Sequence, residues 1–178
     1  MAETIPEKET QCYEVAVQPA RPEDAEALAG ILTSGVISKV ARGDMAWGEN
    51  PFSTIKALER IAKGNTYIGR IGQTPVGTFS IDAEDTLVWG QQPSNAAYVH
   101  QLAVNDKYRG MNLGKQLLDL ASQEVARMGK TLLRLDVPAE NEGLKSYYES
   151  QGFTWVENRV VSTGRGDYTA ALYERPVI

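Results

Sequence analysis

The chain has 178 residues, 42% hydrophobic and 23% charged, with 18 Lys plus Arg against 23 Asp plus Glu and a formal charge of −5. That length can bury a core without staples or metals, and the composition excludes a disordered or fibrous chain. The acidic balance supplies no field for holding nucleic acid or an anionic membrane.

Residues Met1 to Gln11 are polar and acidic without periodicity and read as a flexible tail, which leaves 12–178 as a single domain. The start also lacks the apolar stretch of a secretory signal, and no run approaches the roughly 20 apolar residues of a membrane span. Cys12 is the only cysteine, so an internal disulfide is excluded and a reducing, cytoplasmic setting is favoured. His100 is the only histidine, far from Cys12, and no H-E-x-x-H pair exists, so no metal is expected.

Tyr13 to Gln18 alternates like a strand. Pro22-Glu23-Asp24 then favours a helix start, and Leu28, Ile31, Leu32 and Val36 form the apolar stripe of that helix. A loop from Gly43 to Asn50 carries Asp44, Trp47 and Glu49. Asn50-Pro51 reads as the cap and first position of a short helix, with Ile55, Leu58 and Ile61 inward and Gly64 at its end. Thr66 to Ile71 and Val76 to Asp82 read as a hairpin across Gly72-Gln73-Thr74-Pro75. Glu84 to Asn95 reads as a loop.

Ala97 to Val104 is the next strand. Leu113, Leu117, Leu120, Ala121, Val125 and Met128 follow at helical spacing up to Gly129, and Thr131 to Val137 returns as a strand. Strand, helix, strand makes a parallel crossover beside an antiparallel hairpin, so the fold class is α/β (α+β) with a mixed sheet of six to seven strands. Asn141 to Ser150 is a last helix, and Phe153 to Val161 with Tyr168 to Arg175 closes the chain as two strands across Gly164-Arg165-Gly166-Asp167.

The segment Val104 to Lys115 carries the chemistry. A strand runs through a glycine-containing turn directly into an amphipathic helix, which presents unpaired N–H groups and the positive end of the helix dipole to an anion. Arg109 and Lys115 add charge. The competing reading is that Gly110 and Gly114 only permit a tight turn. There is no G-K-[ST] for a phosphate loop, and no acidic residue about 20 positions on to hold a ribose.

Arg109-Gly110-Met111-Asn112-Leu113-Gly114 resembles the coenzyme A signature [R/Q]-x-x-G-x-[G/A] of the GNAT superfamily of N-acetyltransferases, with Asn112 where the middle glycine is usual. Asn is the non-glycine residue most tolerant of positive φ, so the loop can still close. Asn141-Glu142-Gly143-Leu144-Lys145-Ser146-Tyr147-Tyr148-Glu149-Ser150-Gln151-Gly152-Phe153 resembles the family's second signature. The order of elements is similar to that fold from Tyr13 to Val177.

The resemblance implies acetyl-CoA as cosubstrate and an amine as acceptor, with self-association into a homodimer left open. It implies that Leu102, Ala103 and Val104 pair with the pantetheine arm where the fourth strand splays from the fifth, a bulge being the expected cause. Arg109, Gly110, Met111, Asn112, Leu113, Gly114 and Lys115 would hold the pyrophosphate. Asn141 would reach the pantetheine, although it also reads as a helix cap.

Tyr148 is the implied acid for the departing thiolate, since a phenol can donate a hydrogen bond while neutral. Its other reading is a packed aromatic, like Tyr147. His100 is the candidate base because its unperturbed pKa lies near neutrality. In a simple alternating strand it shares a face with Tyr98, Leu102 and Val104, and a core role is as good a reading; Glu49, Asp44 or water are alternatives. Cys12 has no activating base, so direct transfer in a ternary complex is expected rather than an acyl-enzyme. A non-catalytic acyl-CoA-binding or sensing domain is the alternative, and a cofactor-free structural protein would leave both signatures unexplained. Acceptor choice is expected to lie with Trp47, Tyr67, Trp89 and Arg165, and the sequence does not select among amines.

Overall fold

The computed structural model describes residues 13–43, 47–164 and 166–178; the expected tail, Cys12, Asp44 and Arg165 lie outside them. Seven strands form one mixed sheet: β1 (Ala16–Pro19), β2 (Thr66–Ile71), β3 (Thr74–Asp82), β4 (Ala96–Val104), β5 (Leu132–Pro138), β6 (Thr154–Thr163) and β7 (Gly166–Pro176). Their spatial order is β1-β2-β3-β4-β5-β7-β6. Every pairing is antiparallel except β4 with β5. Five helices connect them: α1 (Ala25–Val40), α2 (Thr54–Ala62), α3 (Thr86–Trp89), α4 (Leu113–Arg127) and α5 (Glu142–Ser150). Among the described residues no helix is long and apolar enough to cross a membrane.

The crossover helix α4 is long enough to return the chain parallel to β4, and β5 does pair with it in that sense. It buries Leu113, Leu117, Leu118, Ala121 and Val125 against Phe79, Val99, Leu133 and Leu135 of the sheet. The approach is close: a Cβ at Gly69 or Gly77 would run into the Leu117 side chain. Helices α1 and α2 pack together through Leu28, Ile31, Leu32, Ala57 and Ile61, and Ala103 joins them from β4.

Two expectations about the short helix change. Its cap is Ser53, whose hydroxyl accepts from the Lys56 amide, and not Asn50. Its inward residues are Ala57 and Ile61, whereas Ile55 and Leu58 are exposed. The cause is upstream. The Thr33 hydroxyl, on α1, accepts from the Phe52 amide at 2.8 Å and donates to its carbonyl at 3.3 Å, which seats Phe52 against the α1–α2 cluster and delays the helix. The turn of the β2–β3 hairpin is also tighter than expected. Ile71 pairs with Thr74, leaving Gly72 and Gln73 as a two-residue loop with Gly72 at φ +58.

The decisive irregularity is in β4. Two steps along β3, from Thr78 to Ser80, face three steps along β4, from Ala103 to His100. The extra residue is a bulge in which Gln101 takes φ +51. Side-chain alternation therefore shifts by one. Ala97 and Val99 face α4 before the bulge, and Leu102 and Val104 face the same core after it. His100 thus shares a face with Tyr98 and Ala103, not with Leu102 and Val104 as simple alternation implies. From Val99 onward, just ahead of the bulge, β4 no longer pairs with β5: the parallel pairing covers only Ala96 to Tyr98 against Leu132 to Arg134.

Candidate active site

A cavity of about 200 Å³ lies against the stretch of β4 that no longer pairs with β5. One wall is Leu102, Ala103 and Val104, whose edge toward β5 carries no pairing; the other includes Gly35, Ser38 and Lys39 of α1 and Arg42 of the turn after it, with Leu144 of α5. Arg109 stands at the rim, 2.5 Å from Asp106. Lys39, Arg42 and Arg109 make this end of the cavity cationic. Lys39 also lies over the Trp47 ring at 5.1 Å, which places Trp47 in the cavity wall. Sequence reading did not single out Lys39 or Arg42, because neither belongs to a recognisable motif.

The turn into α4 is built for an abrupt change of direction. Gly110 has φ +78 and Asn112 has φ +57, so both adopt the left-handed conformation that Gly and Asn tolerate best. The first backbone bond of α4 runs from Gln116 to the Asn112 carbonyl at 3.4 Å. The amides of Leu113, Gly114 and Lys115 have no intrahelical acceptor, as at any helix start. Met111 is exposed and Leu113 is buried in the core. The Lys115 ammonium pairs with Asp119 one turn on. Gly114 has a packing role of its own: a Cβ there would stand 2.9 Å from the Tyr147 phenol oxygen.

On α5, Asn141 performs the capping role, its Oδ1 accepting from the Leu144 amide at 3.0 Å. Tyr148 packs edge-on against Phe153 and Tyr147, at 5.7 and 5.2 Å between ring centroids. Surrounding protein holds its phenol well above the usual tyrosine range, with burial as the largest cause and Tyr147 and Asp136 adding to it. A neutral donor results. Among the described residues no group accepts a hydrogen bond from that hydroxyl.

His100 lies where the strands part, its Nε2 3.5 Å from Asp85 Oδ2 and 3.6 Å from Asp82 Oδ2. Asp136, on β5 past the last pair with β4, completes a cluster: the donor atoms of Asp85, His100 and Asp136 all lie within 4.8 Å of one another. By donor type this set can also hold a divalent cation. Burial raises the Asp136 carboxyl above the usual carboxylate range, Asp85 raises it further, and His100 and Lys39 oppose the shift. Tyr168 of β7 is pushed up to about 12, by burial first and then by Asp136 and Asp85. Sequence reading missed Asp85 and Asp136, whose separation along the chain carries no recognisable spacing.

The other expected acceptor-side residues separate. Trp89 is 2% exposed, tilted against Tyr98 and covered by the Arg134 guanidinium, so the segment expected as a loop contains one helical turn, Thr86–Trp89, capped by Asp85 and burying Val88 and Trp89. Tyr67 stacks on Phe79 at 5.1 Å and belongs to the α4 side of the sheet.

Comparison with known proteins gives a consistent picture. The family model described as Acetyltransferase (GNAT) family matches residues 38–153. An uncharacterized N-acetyltransferase, YesJ of Bacillus subtilis (strain 168), is 26% identical over 148 residues, which are 78% of this chain and 81% of that protein. A GNAT-family acetyltransferase structure from Listeria monocytogenes superimposes with a TM-score of 0.72 at 23% identity, covering 92% of this chain and 95% of the other. The yncA structure from Salmonella typhimurium, a protein crystallised with its cofactor acetyl-CoA, superimposes with a TM-score of 0.66 at 18% identity over 92% and 94% of the two chains.

Proposed function

Because the chain belongs to the GNAT acetyltransferase family, we propose that it transfers the acetyl group of acetyl-CoA to a primary amine by direct attack in a ternary complex. The observation that carries this reading is the cavity beside the unpaired stretch of β4, lined by Lys39, Arg42 and Arg109, together with the carboxylate–imidazole cluster that the same strand contributes to where β4 and β5 separate.

The cavity suits coenzyme A. Lys39, Arg42 and Arg109 supply charge for its phosphates, and the turn from Arg109 to Lys115 supplies amides for the pyrophosphate. The unpaired edge of Leu102, Ala103 and Val104 offers backbone groups to the amide-bearing pantetheine arm, with Asn141 at the start of α5 beside it. When bound, the thioester supplies an activated acetyl carbon: the N–C bond forms, the C–S bond breaks, and its electron pair leaves on sulfur. Tyr148 gives that sulfur a hydrogen bond or its proton, being held neutral by its surroundings. The attacking ammonium loses its proton toward the His100 and Asp136 pair.

Acetyl-CoA is expected to raise the melting temperature of the protein, since a ligand held only by the native state at 100 times its Kd stabilises by about 2.7 kcal/mol. Addition of a primary amine should then release free thiol. Binding without thiol release from any amine would support a non-catalytic acyl-CoA-binding domain instead, and no thermal shift at saturating coenzyme would overturn both.

A further inference from the structure

Resting on the acetyl-transfer reading, we propose that Asp85, His100 and Asp136 are the acceptor site and that they select a compact aliphatic ammonium carrying no carboxylate. The three side chains come from the α3 cap, β4 and β5 and converge where the strands part. The Asp85 side chain is only 10% exposed, and its Oδ2 is buried with no hydrogen-bond partner. It cannot turn away cheaply, because Oδ1 is held by the Val88 amide at 3.1 Å as the cap of α3. Among the described residues neither Asp85 nor Asp136 pairs with a Lys or Arg.

A buried carboxylate in that condition is costly until a cation arrives. An alkylammonium has three donors, one for each of the two carboxylates and one for the imidazole. Charge-assisted N–H···O contacts of about 2.8 Å set the acceptors of one tetrahedral ammonium roughly 4.5 Å apart, inside the 4.8 Å limit of the cluster. Asp85 and His100, 3.5 Å apart, would part slightly on binding. A divalent ion with bonds of about 2.1 Å would fit that pair as it stands and is the competing occupant. A ligand carboxylate in the same space meets like charge at short range. The groups facing Asp136 are His100, Asp85, Lys39, Tyr148 and Tyr168, and only Lys39 among them is a fixed cation.

The test uses the full chain with saturating coenzyme A and three size-matched probes: 1,4-diaminobutane, butylamine and 4-aminobutyrate. Calorimetry reads binding, and thiol release from acetyl-CoA reads turnover. Both cationic amines should bind, with 4-aminobutyrate about ten- to a hundredfold weaker, and Asp85→Asn, which keeps the capping oxygen, should narrow that gap. Asp136→Asn should narrow it too, which guards against a folding defect in either single variant. Equal or tighter binding of 4-aminobutyrate, or a gap untouched in both folded variants, overturns the proposal while leaving acetyl transfer intact. Cationic binding without thiol release supports the site and rejects the acetyl-transfer reading. Binding of Mg²⁺ or Zn²⁺ that is lost in Asp85→Asn, with no binding of the amines, would make this a metal site and overturn the proposal.

Discussion

Arg134 and Asp136 stand two residues apart on the same face of β5, yet their surroundings are opposite in kind. Arg134 lies where β5 still pairs with β4, and its Nε, its Nη1 and its face all have partners. Its Nε bonds Glu174 at 2.9 Å, its Nη1 bonds Gln92 and the Tyr98 phenol, and its plane covers Trp89 at 4.6 Å. Asp136 lies two residues beyond the last pair, and the groups clustered with its carboxylate are another carboxylate and an imidazole. A buried charge supplied with all its partners belongs to the architecture. One left short of partners, at an opening, points to something that comes from outside.

The strongest way to sharpen that contrast is Tyr148→Phe, which removes one hydroxyl from the open end and keeps the ring. The turnover number is expected to fall about 10²–10⁴-fold with the acetyl-CoA dissociation constant unchanged, the pattern of an interaction made in the transition state. Near-normal turnover would reject Tyr148 as the acid. The converse break is Arg134→Met at the satisfied end. Urea unfolding should show a loss of about 3 kcal/mol, the low end for severing a buried pair because Glu174 keeps some contact with solvent, while acetyl-CoA affinity per folded molecule is retained. A loss of affinity with intact stability would show that the two ends had been assigned the wrong way round.

The smallest effect is expected at Asp136 itself. Its folded-state pKa is raised, so the native protein binds the proton more tightly than the unfolded chain, and wild-type stability falls as pH rises through the folded value. Asp136→Asn removes that penalty. The variant should therefore be the more stable protein at neutral pH, with the advantage fading as pH drops into the ordinary carboxylate range. A variant advantage that grows toward acid would reverse the sign of the shift and remove the contrast with Arg134.

The phosphate-binding turn was legible in the sequence because its parts are contiguous: Arg109, Gly110, Asn112 and Gly114 fall within a few residues, and the φ of +57 at Asn112 follows from what Asn tolerates. The element order was legible for the same local reasons. The amine end was not. Asp85, His100 and Asp136 meet only because β4 bulges at Gln101 and departs from β5, and a bulge at a polar Gln leaves no mark on hydrophobic alternation. That one inserted residue also misplaced the face of His100. Trp89 read as an acceptor-side residue of a loop, whereas a single capped turn folds it under Arg134. Ile55 and Leu58 misled in the opposite direction, since docking of α2 on α1 was decided by Phe52 and Thr33 outside the helix.

Gly114 and Tyr147 touch across two elements that are distant in the chain, and between them they fill one fixed volume. A methyl group gained at 114 is accommodated by a shift of the Tyr147 phenol or, most simply, by losing the phenol oxygen. The two positions are therefore expected to drift together through descent, Gly with Tyr and Ala with Phe, so that the record of related sequences would carry the imprint of a contact that neither residue announces alone.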